Sequence, residues 1–159
     1  MEVRIDECPI VTHGYEVYLD GKRTELLAKS SRTVFKVDDL VVKIQHNNQF
    51  TQCQTEYDIW NKLAESDREF FVPTLAFGEV KFRDELWSWN VQPFTNIVQR
   101  MYHEVEHVIL NAELILEDFK IRYRLCDLDR YDGPSARNWF YTHKDGMFQP
   151  LIFDYGLAL

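Results

Sequence analysis

His103-Glu104-Val105-Glu106-His107 is an H-E-x-x-H array inside a run with helical periodicity. Two histidines four residues apart share one helix face and can hold Zn²⁺, with Glu104 placed to activate a water. Glu113 and Glu117 fall on a compatible face, but one continuous helix does not wrap round to bring a third ligand. Glu106 also puts a charge inside the motif. A solvated, charged helix face therefore explains the array better than a zinc protease site. The remaining histidines, His13, His46 and His143, read as surface residues. Cys8, Cys53 and Cys126 are odd in number and lack C-x-x-C spacing, which points to reduced, mostly buried thiols. Trp87, Trp89, Trp139 and Phe140 are able to stack a base, but aromatics in alternating strands are more often core. Phe94 reads the same way, as a packing residue rather than an adenine contact.

The elements that must position any chemistry are mostly strands in the first half. Tyr15 to Leu19 alternates and ends in Asp20-Gly21, a two-residue turn signal. Strand runs follow at Thr24 to Ala28, Thr33 to Val37 and Leu40 to Ile44, with Lys29-Ser30-Ser31-Arg32 and Asp38-Asp39 as connections. Thr51 to Leu63 has a helical apolar face through Tyr57, Ile59, Trp60 and Leu63, and Val72-Pro73 breaks it. Leu75 to Phe82 and Leu86 to Val91 are two more strands around Arg83-Asp84-Glu85, and Gln92-Pro93-Phe94 reads as a hinge. Ile97 to about Tyr123 is helical, with Val105, Val108, Ala112, Ile115 and Phe119 at three- and four-residue spacings. A turn-rich stretch from Asp127 to Arg137 leads into a hairpin, Trp139 to Tyr141 with Pro150 to Phe153, and then Asp154-Tyr155-Gly156.

Taken in order, these parts resemble the protein kinase-like superfamily, which includes eukaryotic-type protein kinases and aminoglycoside phosphotransferase-like enzymes. The resemblance rests on a lysine at the end of Val41-Val42-Lys43, a glutamate on the next helix, an Asp-rich loop with an asparagine, and Asp-x-Gly after a hairpin. It implies an α+β, two-lobe fold: a β-rich nucleotide-binding lobe over 1–94 with one helix, and a reduced helical lobe over 95–159 carrying the catalytic loop and metal-binding hairpin. Lys43 would neutralise the phosphates of ATP and Glu56 would hold its stem. Asp127, in Leu125-Cys126-Asp127-Leu128-Asp129, would be the base that accepts a hydroxyl proton. Asn138 and Asp154 would hold Mg²⁺. Asn138 follows Asp127 by eleven positions, against about five in the family pattern, so Asp129 and Asp132 stand as rival bases. Lys29-Ser30-Ser31-Arg32 occupies the phosphate-loop position without glycine. Its serine amides and hydroxyls can donate to phosphate oxygens beside two positive charges.

The chain has 159 residues with 26 Asp+Glu against 18 Lys+Arg, a formal net charge of −8. That length suits one domain or two small lobes, and 45% hydrophobic residues exclude disorder. The apolar runs are far short of the ~20 residues a membrane span needs, and the acidic start is unlike a signal peptide. The expectation is a soluble, cytoplasmic protein that does not bind nucleic acid directly, because phosphate contacts need a cationic surface. Compact size and acidity also suit a viral, for instance phage-encoded, or mobile-element protein acting in a host cytoplasm. The resemblance ends where kinases carry their substrate platform, so a partner or a second copy would have to supply one. Two functions follow from it: ATP-dependent phosphoryl transfer to a Ser/Thr or small-molecule hydroxyl, or a kinase-shaped, inactive inhibitor of a basic protein partner.

Overall fold

The computed structural model describes residues 1–46, 51–95, 106–125, 139–144 and 147–156. The chain divides into two compact units, Met1–Tyr57 with Pro73–Phe94, and Asp58–Val72 with Thr95–Leu159.

The first unit is built on antiparallel strands. β1 (Val3–Glu7), β2 (Tyr15–Leu19) and β3 (Lys22–Arg23) form a three-stranded sheet in that order. β4 (Glu25–Lys29), β5 (Thr33–Val37), β6 (Leu40–Gln45), β7 (Ala76–Phe82) and β8 (Glu85–Pro93) form a five-stranded sheet ordered β4-β5-β6-β8-β7. The turns are those the sequence demands. Asp20 and Gly21 both take positive φ (49° and 82°) between β2 and β3, and Arg83 and Asp84 do so (52° and 59°) between β7 and β8. Such paired left-handed residues match the twist of the strands they join. β1 was not among the sequence expectations; it pairs with β2 from Val3↔Leu19 to Glu7↔Tyr15. β8 runs on through Gln92 to Pro93, so the strand does not stop at the expected hinge, and the Phe94 N–H closes the end by donating to the Asp39 carbonyl at 2.7 Å.

Period-two alternation gives the five-stranded sheet two unlike faces. Phe35, Val42, Ile44, Trp87, Trp89 and Val91 point one way and pack with Val3, Ile5, Tyr15, Val17 and Leu19 of the smaller sheet into one buried apolar cluster. Trp87 and Trp89 are therefore core, as their alternation implies. His46 belongs with them and is not a simple surface residue: its ring stacks on Trp87 at 4.1 Å and its Nε2 lies 3.1 Å from the Tyr15 hydroxyl. Burial is the main reason its pKa lies below the ordinary value of 6.5. The opposite face, Val41, Lys43 and Gln45 beside Gln92, Asn90 and Ser88, is largely polar yet buried.

The second unit takes in the end of α1 (Gln52–Lys62), a 3-10 turn at Glu65–Phe70, α2 (Glu106–Tyr123), and the hairpin of β9 (Trp139–Lys144) and β10 (Met147–Ile152). Ile59, Leu63, Phe71, Leu116, Phe119, Trp139, Ile152 and Tyr155 share its buried core. Asp67, in the 3-10 turn, accepts from Arg122 Nη1 at 2.7 Å and from the Tyr123 hydroxyl at 2.6 Å, tying that turn to the end of α2. Among the described residues no helix is long and apolar enough to cross a membrane.

Candidate functional site

The polar face of the first unit converges on Glu56. Gln52, Cys53, Glu56, Ile59 and Leu63 are the buried positions of the α1 region, a spacing of three and four that defines one inward stripe. Glu56 is the acid in that stripe and is fully buried. The start of α1 is fixed by β6: the Gln52 N–H, one of the donors a helix leaves without an internal partner, donates to Gln45 Oε1 at 3.0 Å.

Donors surround the Glu56 carboxylate. Lys43 Nζ lies 3.0 Å from Oε2 and 3.4 Å from Oε1. Asn90 Nδ2 donates to Oε1 and Gln92 Nε2 to Oε2, both at 3.2 Å. Asn90 stands opposite Lys43 across the β6–β8 ladder, and Gln92 stands two residues further along the same face. Gln92 is itself held by the Thr74 hydroxyl at 3.0 Å, and Asn90 also donates to the Cys53 carbonyl at 3.1 Å. The fourth donor is Arg32, whose Nη1 pairs with Glu56 Oε1 from the β4–β5 connection. Burial alone would raise the carboxyl, but the charges of Arg32 and Lys43 and their hydrogen bonds outweigh it and hold the pKa at about 2. Beside it, burial pushes the Cys53 thiol up, so this cysteine is a packed neutral group rather than a nucleophile.

The expected phosphate loop divides in two. Lys29, Ser30 and Ser31 are exposed, whereas Arg32 turns inward and is buried on Glu56. A Ser30 N–H donating to the Arg32 carbonyl at 2.9 Å closes this tight connection. The structure thus brings Lys43, Glu56 and Arg32 together, and adds Asn90 and Gln92, which sequence reasoning missed. Their signal was present: Ser88-Trp89-Asn90-Val91-Gln92 alternates polar and apolar residues, which marks a strand whose polar side chains all face one way. Phe94 is partly exposed, with Lys36 Nζ 4.5 Å from its ring centroid.

In the second unit Asp154 follows directly on β10 and is half-buried. Its segment is well anchored. Phe71 bridges Ile152 in parallel, the Val72 N–H donates to the Ile152 carbonyl at 2.8 Å, and the buried Tyr155 hydroxyl donates to the Val72 carbonyl at 2.7 Å. Tyr155 also meets the Phe71 ring edge-on at 5.2 Å. Asp127, Asp129, Asp132 and Asn138 lie outside the described residues, as do His103 and Glu104 of the H-E-x-x-H array. Among the described residues no three His, Cys, Asp or Glu side chains are grouped to hold a metal.

No protein-family model and no curated protein matches the chain. Among solved structures it is similar to "Legionella pneumophila Lpg2603 kinase bound to IP6", with a TM-score of 0.53 at 15% identity. The match covers 91% of this chain and 56% of that one, so the chain spans little more than half the length of that kinase. At such low identity the likeness is one of fold, and the mixed α+β architecture of this chain is kinase-like.

Proposed function

We propose that the chain is a minimal kinase-like protein that binds ATP with Mg²⁺ and transfers the terminal phosphoryl group to a hydroxyl, of a Ser/Thr side chain or of a small molecule. The observation that carries this reading is the buried pair of Lys43 on β6 and Glu56 on α1. A lysine stem is flexible and costs entropy to order. Anchored on Glu56, it presents its ammonium to phosphate oxygens at a fixed position, and electrostatic positioning is the main contribution a protein makes to phosphoryl transfer. That the similar Legionella kinase is held with IP6 supports a phosphate-rich ligand for this fold.

Asp154 offers a carboxylate and Asn138 an amide oxygen, the hard oxygen donors that suit Mg²⁺. The half-buried Asp154, on a segment locked by Tyr155 and Ile152, fits such a role. The metal, when bound, neutralises charge on the phosphates. The substrate hydroxyl oxygen would bond to the γ-phosphorus as the bond to the bridging oxygen of ADP breaks. Its proton would pass to the carboxylate of Asp127, or of Asp129 or Asp132.

A second reading, a non-catalytic kinase-like protein that inhibits or redirects a basic protein partner, is favoured by Arg32. The loop that should cradle phosphate has no glycine, and its arginine is committed to Glu56. A thermal-shift titration with ATP and Mg²⁺ separates the two. A bound nucleotide raises the melting temperature by mass action. The kinase reading expects a rise in the wild type that Lys43→Met and Asp154→Ala abolish, followed by phosphate transfer in a radiolabel assay. No rise in the wild type leaves the binding protein.

A further inference from the structure

β4 is an outer strand of the five-stranded sheet and pairs on one side only, with β5. All five of its residues, Glu25-Leu26-Leu27-Ala28-Lys29, are exposed, Leu26 at 44% and Leu27 at 51%. At the other end of the sheet β7 has β1 beside it. Among the described residues β4 is therefore the open edge of this sheet.

An open edge offers main-chain N–H and C=O groups to any strand laid beside it, and proteins blunt such edges with proline, charges, bulges or a covering element. β4 has no proline, and its two charges stand at its ends, leaving Leu26-Leu27-Ala28 as an apolar middle. It does carry an irregularity. The register to β5 runs Leu26↔Phe35 and then Ala28↔Val34, passing over Leu27. A bulge there interrupts the ladder and bends the strand, so this edge suits a short, reversible pairing rather than a permanent one.

The order of the residues says which strand fits. Laid antiparallel against its own copy and centred on Leu27, β4 sets Glu25 opposite Lys29 at both ends, Leu26 opposite Ala28, and Leu27 opposite Leu27. A parallel arrangement in register would set Glu25 on Glu25 and Lys29 on Lys29. An antiparallel one slid by two residues would set Glu25 or Lys29 against Leu27. Opposite charges directly across a strand pair stabilise it, and like charges destabilise it. The centred pairing also has a two-fold axis through Leu27, so it closes at two copies and builds no filament. We propose that the chain forms a reversible homodimer by antiparallel pairing of β4 with β4 of a second copy, joining two five-stranded sheets into one. The dimer draws on none of the donors around Glu56 and is independent of any kinase activity.

The test is sedimentation velocity of the full chain from micromolar to millimolar concentration. Salt is held at about 0.15 M, where a Debye length of about 8 Å screens the distant charges and leaves contact pairs acting. The wild type is expected to pass from monomer to dimer over that range. Glu25→Lys and Lys29→Glu each make both end pairs repulsive, and each should weaken the dimer about tenfold, the scale of two exposed ion pairs. Mixed in equal amounts, these two variants again set opposite charges across the joined strands and should associate as the wild type does. The doubly reversed chain, Glu25→Lys with Lys29→Glu, should dimerise alone. Recovery on mixing cannot come from variants that fail to fold. A wild type that stays monomeric throughout, a dimer indifferent to either single reversal, or variants that do not associate when mixed would overturn the proposal.

Discussion

Glu56 has no exposed surface, and a lone ionised carboxylate in that position would be displaced by its own desolvation. It stays charged because Lys43, Arg32, Asn90 and Gln92 all donate to it. The sequence paired two of these five residues, Lys43 and Glu56, only through the resemblance to the kinase-like order of elements; taken alone they read as an edge-strand lysine and an unrelated surface glutamate. Arg32 read as a phosphate-loop cation, because nothing in Lys29-Ser30-Ser31-Arg32 tells which of its two cations turns inward onto Glu56. The energetic consequence is testable. Glu56→Gln keeps the size but leaves two buried cations facing a neutral amide, and breaking a buried ion pair in this way costs roughly 3–5 kcal/mol. Because the carboxyl pKa falls from its ordinary 4.5 to about 2 on folding, the charge contributes its stability in full above pH 4.5. That contribution is lost as the pH falls through 2. Urea denaturation of both proteins should therefore show a wild-type advantage that is flat from pH 7 to 5 and shrinks steadily below 4.5. A constant difference across that range would mean that Glu56 is not charged in the folded protein.

At the scale of elements, the β7–β8 hairpin shows how closely the strands are fitted. Gly78 lies opposite Trp89 in the ladder, and a Cβ built on it would stand 2.3 Å from Trp89 Cζ2. The indole occupies the space a side chain would need. Gly78→Ala must then push Trp89 out of the apolar cluster or bend the hairpin, an overpacking cost of about 1–3 kcal/mol. Chemical denaturation should register that loss, and it should be much smaller when Gly78→Ala is combined with Trp89→Val, since the clash is pairwise. The strands themselves were readable wherever two signals coincided, alternation and a turn residue at each end, as from Tyr15 to Gly21 and from Thr33 to Ile44. β1 escaped because Val3 and Ile5 are its only apolar positions, and what makes it a strand is five residues of pairing with β2. Asn90 and Gln92 escaped for a related reason. Polar alternation usually marks a solvated strand face, and only the placement of α1 turns that face into an interior.

The whole molecule carries a formal charge of −8, and this bears on how an anionic nucleotide reaches Lys43. Mg·ATP is itself negative, so the long-range field repels it, while attraction to the cations around Glu56 acts only at close range. The two effects separate by ionic strength, because the Debye length falls from about 30 Å at 0.01 M salt to about 10 Å at 0.1 M. Screening removes the distant repulsion first and leaves the short, partly buried contacts nearly intact. If the proposed kinase site is real, stopped-flow association of Mg·ATP should therefore accelerate between 0.01 and 0.15 M salt, the reverse of the usual trend for an anion meeting a basic site.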